Sequence, residues 1–581
     1  MTTTDIAPLG YPEASEKGLK GGALGLLSSV VVGMASTAPA YSLAASLGLV
    51  VAALGPAGLK APAIMVLAFI PMYFIAVAYQ ELNKAEPDCG TTFTWATRAF
   101  GPIVGWLGGW GIIAADVIVM ANLAQVAGAY SFTFAGELGR LFGLDWSGIS
   151  DLAESTFWAT VAGVIWIAIM TWICYIGIEV SARIQYALLG IEVLVLVVFA
   201  IAALGKVLAG KAESYSLTPN ITWLWPNGID FGTMSAALLT AFFIYWGWDT
   251  AVTCNEETDD PGKTPGRAAV ISTVLLLVTY ALVSIAAVSF AGVGTEGVGL
   301  GNPDNAADVF NAIGPELFGD SVLGKAGLIL LAASILTSAS ASTQTTILPT
   351  ARTALSMGVF KAIPERFSRV HAVNLTPTWA TIGMGVVSAA FYVLFTLISQ
   401  NLLFALIGSV GLMIAFYYGL TGFVCVWFYR KTLTRTRRDL VMQGIVPLLG
   451  GLIMLATFVY GLLQFLAPDW LLDDQGEPVT ILGRGAVGVV GLAALGLGLV
   501  LMLVWWAMHP EYFRGETLPK RSAHELVLAG AHLTHEPRLE LPDSGLPEIV
   551  IAPDLSNLPE GASALDLTTG EIVAGPLAEE E

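Results

Sequence analysis

Two apolar segments of the chain contain residues that interrupt a helix, and each interruption lies beside polar or aromatic side chains. The first segment contains Gly33 and Pro39, and the second contains Gly247 between two tryptophans. Proline lacks an amide proton and crowds the preceding turn, so a helix opens around it. Half-helices that end inside a membrane present N–H groups to an anion and carbonyl groups to a cation. The two interruptions are therefore candidates for a binding site, although Pro and Gly also form simple kinks in membrane helices.

Three carboxylates, Asp116, Glu192 and Asp249, lie deep within apolar segments. An ionisable side chain is costly there and is a candidate for function. Because a carboxyl group can take up and release a proton, we hypothesise that Glu192 is a proton carrier. The alternative is a structural carboxyl, hydrogen-bonded to Gln185 on the same helix face or to the first interrupted segment. For Asp116 we favour structural pairing, and we predict that Asp249 caps the half-helix that follows Gly247.

Hydroxyl side chains recur at helical spacing along one apolar segment. Ser334, Ser338, Ser342 and Thr345 form a continuous stripe. One interpretation is close helix packing, with each hydroxyl bonded back to its own backbone. The other is a wall of oxygen atoms that includes Ser338 and Ser342, faces the binding site and offers ligands to sodium. The spacing defines no complete ligand set, so we assign no metal.

Membrane-spanning helices are the elements that must position these residues. The 581 residues are 55% hydrophobic with a mean hydropathy of +0.72, and only 12% are charged. A soluble domain carries about 25% charged residues. Segments of about 20 apolar residues predict spanning helices. Twelve such segments lie at about 23–53, 61–80, 103–133, 156–177, 184–205, 231–254, 268–292, 326–350, 378–399, 402–428, 443–467 and 485–508.

Charge and residue usage orient the chain and exclude several functions. Twenty of the 26 Lys and Arg residues fall on one side if both termini are cytoplasmic, as the positive-inside rule requires. The net charge of −19 argues against nucleic-acid binding. The five histidines lie outside the spans, the four cysteines lack metal spacing, and no phosphate-binding loop is present. We therefore predict no enzyme activity, no cofactor and no metal.

The interrupted spans 1 and 6 are five spans apart, which indicates a five-helix unit that is repeated in inverted orientation. The predicted architecture is an all-α integral membrane protein with twelve spans. Its parts are a cytoplasmic segment 1–22, repeats 23–205 and 206–428, peripheral spans 429–508 and an acidic tail 509–581. Residues 511–581 hold fourteen acids and four bases, a net charge of −10, and their composition is typical of a disordered segment.

Three motifs resemble the amino acid–polyamine–organocation permeases, and together the resemblance covers about residues 20–508. The stretch 79–110 resembles the family's loop after span 2. Residues 242–268 carry the aromatic-Gly-aromatic break, a Glu–Glu pair and a trailing Arg in the family order, and 351–371 are followed by Thr-Pro. The resemblance implies a leucine-transporter-like fold of ten core helices and two peripheral helices. It also implies secondary transport of amino acids or amines.

The resemblance places the substrate site at the two breaks. The implied residues are Ser36, Thr37, Ala38, Ala40 and Tyr41, with Phe243, Ile244, Tyr245, Gly247 and Trp248. Trp248 is the preferred gate, and the aromatic rings can also enclose an ammonium group. Many relatives have a Gly-rich first break, whereas this chain has Pro39, which removes one donor for a substrate carboxylate.

We therefore predict a permease in the plasma membrane, compatible with a bacterial inner membrane, with its substrate and a co-transported proton as partners. Proton coupling is preferred over sodium because Glu192 is a specific carrier candidate. The alternatives are a polyamine or small-amine importer and a nutrient sensor on the same fold.

Overall fold

The structure is a computed structural model that describes residues 15–306, 308–398, 400–472, 476–528, 562–565 and 572–574. The chain divides into two units, 1–537 and 538–581, and all described helices lie in the first. The helices of the N-terminal part are α1 (Leu26–Ser36), α2 (Pro39–Leu54), α3 (Ala61–Ala85), α4 (Thr92–Phe100), α5 (Pro102–Leu141), α6 (Ser147–Ser150), α7 (Thr156–Ile176) and α8 (Ile178–Leu208).

The later helices follow in the same unit, and each unit also contains a short antiparallel pair of strands. These helices are α9 (Phe231–Phe243), α10 (Thr250–Thr253), α11 (Thr264–Ala291), α12 (Val309–Phe318), α13 (Val322–Val359), α14 (Thr378–Ile398), α15 (Gln400–Phe428), α16 (Arg437–Asp439), α17 (Val446–Phe465), α18 (Ala486–Met508) and α19 (Ala523–Leu528). A π-helical turn, Leu440–Ile445, joins α16 to α17. Antiparallel pairs are formed by β1 (Thr480–Ile481) with β2 (Arg484–Gly485), and in the second unit by β3 (Ala562–Leu565) with β4 (Ile572–Ala574).

Ten helical stretches among the described residues are long and apolar enough to cross a membrane. The first of them, Leu26–Ala85, contains predicted spans 1 and 2 together. Of predicted span 6, 231–254, only the first part forms an apolar helix, Phe231–Phe243, whose 13 residues are shorter than a full span. The protein is therefore a mostly helical, multi-pass membrane protein.

Long helices surround the centre of the first unit. Helix α13 packs along α5 and α8, and α11 packs along α3. The half-helix α1 contacts α8, α11 and α13, so it lies among the helices that carry the predicted polar residues. Small residues permit these close approaches: a Cβ added to Gly163 on α7 would lie 2.5 Å from the Ala124 carbonyl oxygen on α5.

Residues 509–528, which we predicted as the start of a disordered tail, are folded against the helices. The Tyr512 hydroxyl is 2.7 Å from Thr97 Oγ1 on α4, and the Arg521 N–H donates to the Arg98 carbonyl at 3.1 Å. Lys431 and Glu525 form an ion pair at 2.6 Å. The predicted tail boundary is thus corrected, because buried aromatic packing holds this segment. Its continuation, 529–561, lies outside the described residues.

Candidate functional site

The first break separates α1 from α2 at Thr37 and Ala38. Ala38 has left-handed backbone angles (φ 47°, ψ 63°), and Pro39 follows at the first position of α2. Proline suits that position because its fixed φ is helical and no intrahelical donor is lost there. The Thr37 hydroxyl donates to the Met34 carbonyl at 2.8 Å, and Ser42 Oγ donates to the Thr37 carbonyl at 2.6 Å. Hydroxyl groups thus satisfy carbonyls that the break has freed.

The second break separates α9 from α10 over the turn 244–249. Gly247 has φ 118°, a conformation that side-chain-bearing residues rarely adopt. The Ile244 carbonyl accepts a hydrogen bond from the Tyr280 hydroxyl of α11 at 2.6 Å. Sequence reasoning missed Tyr280, although a tyrosine inside an apolar span usually needs a hydrogen-bond partner.

The two breaks are in direct contact. A Cβ added to Gly247 would lie 2.7 Å from the Ser36 carbonyl oxygen, so only glycine fits there without displacement. Ser36 Oγ is 2.8 Å from Thr250 Oγ1, and Ser342 Oγ of α13 donates to the Ser36 carbonyl at 2.9 Å. The hydroxyl of Ser342 therefore joins α13 to the contact between the breaks.

Glu192 belongs to α8, and its fully buried side chain reaches the N-terminus of α2. Its Oε1 accepts the Ala40 N–H at 2.7 Å and the Ser338 hydroxyl at 2.7 Å. The Tyr41 N–H in turn donates to Ser338 Oγ at 3.1 Å. A carboxylate is favoured at this helix end by the free N–H groups and the helix dipole. Glu192 thus contacts the first interrupted segment. Gln185 instead donates to Gln344 and to the Ala341 carbonyl, both on α13.

Asp249 and Asp116 make separate contacts. Asp249 occupies the predicted N-cap position of α10, but its carboxylate makes no capping hydrogen bond with that helix. It accepts instead the hydroxyls of Tyr417 at 3.1 Å and Tyr418 at 2.8 Å, both on α15. Asp116 accepts the Thr350 hydroxyl at 2.6 Å. These tyrosines are 168 and 169 residues from Asp249, so only the tertiary fold could reveal the pairing.

The aromatic residues of the second break are all buried. The Tyr245 hydroxyl donates to the Met65 carbonyl at 3.0 Å, and Trp246 Nε1 donates to the Tyr417 hydroxyl. The Trp248 ring contacts Tyr79 and Tyr418 at centroid distances of 5.3 and 5.2 Å. Trp248 Nε1 is buried and has no hydrogen-bond partner among the described residues.

The remaining predicted residues also lie at the two breaks. Phe243 is the last residue of α9 and is buried, and the Tyr41 hydroxyl donates to Asn122 on α5. Of the hydroxyl stripe, Ser334 and Thr345 bond back to their own helix. Ser338 and Ser342 instead donate to Glu192 and to the Ser36 carbonyl, and their role as sodium ligands stays a prediction.

A second polar cluster, which sequence reasoning missed, lies where the N-terminal segment meets the helix ends. Lys17 Nζ is 2.7 Å from an Asp88 oxygen and 2.6 Å from a Glu256 oxygen. Asp88, Cys89 and Glu256 bring three potential metal ligands within 4.8 Å of one another. Burial lowers the pKa of Lys17, but the Asp88 and Glu256 charges outweigh it and hold the pKa well above its usual value. The cluster is therefore a buried ion-pair network around an ammonium group.

These features first define a class, a multi-pass helical membrane protein with a buried polar centre at two helix breaks. The family follows from comparison with known proteins. The chain belongs to the amino acid permease family, whose model matches residues 24–508.

Similar proteins include the "Branched-chain amino acid permease BcaP" of Lactococcus lactis, which is 24% identical over 36% of this chain and 44% of the relative. The "Cationic amino acid transporter 4, vacuolar" of Arabidopsis thaliana is 26% identical over 54% of this chain and 49% of the relative. The rat "Large neutral amino acids transporter small subunit 2" is 28% identical over 35% of this chain and 36% of the relative. The chain thus matches about half, or less, of the length of these relatives.

Proposed function

We propose that the protein is a secondary active transporter that moves amino acids across the membrane by alternating access. The observation that carries the proposal is the contact between the two breaks, where Gly247 lies against Ser36. Interrupted helices expose backbone donors and acceptors only where they are buried in protein or line a cavity. Such pairs of breaks are typical of substrate sites in transporters built from inverted repeats. Relatives named as amino acid permeases support the substrate class.

In the proposed arrangement, α1–α2 and α9–α10 are the first spans of two inverted five-helix repeats, 23–205 and 206–428. With the two spans of 429–508 they give twelve crossings, and the excess of Lys and Arg on one side places both termini in the cytoplasm. The membrane would be the plasma membrane. The ten substrate-binding residues predicted at the breaks keep that role in the proposal.

Glu192 would couple transport to protons. Ionised, its carboxylate holds the Ala40 N–H and the Ser338 hydroxyl, and so joins α2 to α13. Protonation would weaken both hydrogen bonds, because bonds to a charged acceptor are roughly twice as strong as neutral ones. Two protonation states would therefore favour two arrangements of the first break, which is the requirement for coupling.

One observation favours the second candidate, import of a small amine or polyamine. The Ala40 and Tyr41 N–H groups are bonded to Glu192 and Ser338, so a substrate carboxylate would have to compete for them. Asp249 and the Trp248 ring offer an anion and an aromatic face to a cation.

The experiment is uptake into proteoliposomes with a panel of labelled amino acids and polyamines, with and without an imposed pH gradient. We expect accumulation of amino acids above equilibrium when the gradient is present. Accumulation of polyamines alone would favour the second candidate. Binding without accumulation of any solute would indicate a sensor and would contradict the proposal.

A further inference from the structure

Three buried polar atoms at the interface of α8 and α13 have no hydrogen-bond partner among the described residues. They are Gln185 Oε1, Glu192 Oε2 and Gln344 Nε2. All three side chains are fully buried. A buried polar group without a partner costs about 1–3 kcal/mol, so ordered water usually satisfies such groups. We call the group formed by Glu192, Ser338, Gln185 and Gln344 the polar seam.

The two glutamines leave a complementary donor and acceptor. Gln185 Nε2 donates to Gln344 Oε1 at 2.9 Å and to the Ala341 carbonyl at 3.0 Å. This arrangement uses one half of each amide and leaves Gln185 Oε1 as an acceptor and Gln344 Nε2 as a donor. A water molecule that accepts from Gln344 and donates to Gln185 would satisfy both atoms, and two to four polar partners are what a buried water needs.

The polar seam extends from the first break toward one membrane face. Gln185 precedes Glu192 by two helical turns on α8, a rise of about 10 Å. Gln344 follows Ser338 on α13, in the direction of that same face, where Arg352 binds Glu257 through two bonds of 2.6 and 2.8 Å. In the proposed topology this face is cytoplasmic.

We propose that the Gln185–Gln344 pair is a water-binding site and that the bound water carries protons between Glu192 and the cytoplasm. The rise of about 10 Å between Gln185 and Glu192 requires more than one water on this route. When Glu192 is protonated, an O–H bond to its free oxygen forms as one O–H bond of the water next to it breaks. Each further water passes on a proton in the same way, through the one at the Gln185–Gln344 pair, and the last regains its proton from the cytoplasmic side. Deprotonation is the reverse, so the step requires no oxidant or other reactant. The inference rests on the proposed coupling role of Glu192.

The groups around Glu192 are consistent with a single proton acceptor on this route. Tyr280 of α11 is the titratable group that interacts with it from a neighbouring helix, and its hydroxyl donates to the Ile244 carbonyl. Helix α2 presents the Ala40 N–H, and α13 presents the Ser338 hydroxyl. At the far end of the polar seam, the buried titratable groups include Cys174, Cys254, Arg352 and Glu257.

The test compares Gln185→Met and Gln344→Met with Glu192→Gln in proteoliposomes. Substrate uptake and internal acidification are measured under an inward pH gradient, and substrate counterflow is measured at equal pH. The methionine variants should slow gradient-driven uptake and proton entry by up to about 100-fold, the lower end of what a positioned proton-transfer group contributes. Counterflow, which needs the substrate site and alternating access, should be unchanged.

The matched control is Gln125→Met. Gln125 lies on α5, accepts the Tyr392 hydroxyl and is outside the polar seam. It should leave both assays unchanged. If the seam variants transport protons like the unaltered protein while Glu192→Gln does not, the water route is wrong and the coupling role stands. If Glu192→Gln retains gradient-driven uptake and proton entry, the coupling role itself is wrong.

A second measurement needs no variant. An experimental structure that resolves ordered water should place a molecule within hydrogen-bond distance of Gln185 Oε1 and Gln344 Nε2. A dry contact, or direct amide pairing that satisfies both atoms, would overturn the proposal even if the methionine variants fail to fold.

Discussion

Gly247 lies against the main chain of Ser36, and this contact brings the two interrupted helices together. A Cβ on Gly247 would be 2.7 Å from the Ser36 carbonyl oxygen and 2.8 Å from its carbon. The same glycine has φ 118°. Space and backbone conformation therefore both require glycine, and the limit on space arises because the breaks meet.

Replacing Gly247 with alanine should destabilise the protein. Left-handed backbone strain for a residue with a side chain costs about 1–3 kcal/mol, and the close approach to Ser36 adds to it. We expect a lower thermal midpoint in detergent and loss of uptake. Gly190→Ala is the matched control, because a Cβ there meets no atom within 4 Å and helical alanine is favoured over glycine by about 0.5–1 kcal/mol. Equal midpoints for Gly247→Ala and the unaltered protein would contradict the contact.

The buried ion pair between Arg352 and Glu257 should be sensitive to loss of one partner. Their side chains are 1% and 0% exposed. Replacing Arg352 with methionine leaves an uncompensated buried carboxylate, which costs about 3–5 kcal/mol. Thermal unfolding of the unaltered protein and of Arg352→Met measures this loss of stability.

Two further variants calibrate that series. The double variant Arg352→Met/Glu257→Gln should recover much of the loss, since both charges are then absent. Lys263→Met removes an ion pair whose side chains are 65% and 47% exposed, and it should cost less than about 1 kcal/mol. Similar losses for Lys263→Met and Arg352→Met would be inconsistent with the buried pair.

Trp248→Ala should weaken substrate binding if Trp248 is the gate. Loss of a desolvated cation–π contact is worth about 2 kcal/mol, or about 30-fold in Kd. Equilibrium binding of a labelled substrate to purified protein measures this change. Trp158→Ala is the control, because Trp158 is 45% exposed and lies on α7. An unaltered Kd for Trp248→Ala would retire the gate assignment.

The end of the folded segment around Glu525 should loosen at low pH, while the buried Tyr512 keeps the rest in place. The hydrogen bond from Lys431 and the Ser522 N–H lower the pKa of Glu525 from its ordinary 4.5 to about 2. A lowered pKa means that this contact stabilises the docked segment fully above pH 4.5 and that the stabilisation is lost as pH falls to about 2. Cleavage within 521–528 by an acid-active protease, measured between pH 5 and pH 2, should increase as the pH falls. Glu525→Gln should abolish the pH dependence, and a rise that persists in this variant would assign it to another group.

The hydropathy of the sequence predicted most of the helical fold, because a membrane helix must be apolar for about 20 residues. Residue type also located both breaks, since Pro39 and Gly247 are intrinsic helix breakers. The positions of Glu192 and Ser338 within apolar segments marked them as candidates, and the structure places them 2.7 Å apart.

Contacts between distant segments could not be predicted in the same way. Tyr418 reaches Asp249 across 169 residues, and Gln185 reaches Gln344 across 159. The capping prediction for Asp249 considered only its own half-helix, whereas two tyrosines on another helix compete for the carboxylate. The tail prediction relied on acidic composition, and it missed the buried anchor Tyr512, whose ring stacks on Phe93 at 5.5 Å.

Coupling of proton movement to amino acid transport by Glu192 is tested most directly by proteoliposome uptake of the Glu192→Gln variant. Glutamine keeps the size and can still accept the Ala40 N–H, but it cannot carry a proton. We predict that a pH gradient accelerates uptake by the unaltered protein and has no effect on the variant, while counterflow at equal pH persists in both. Gradient-driven accumulation by Glu192→Gln equal to that of the unaltered protein would contradict the claim.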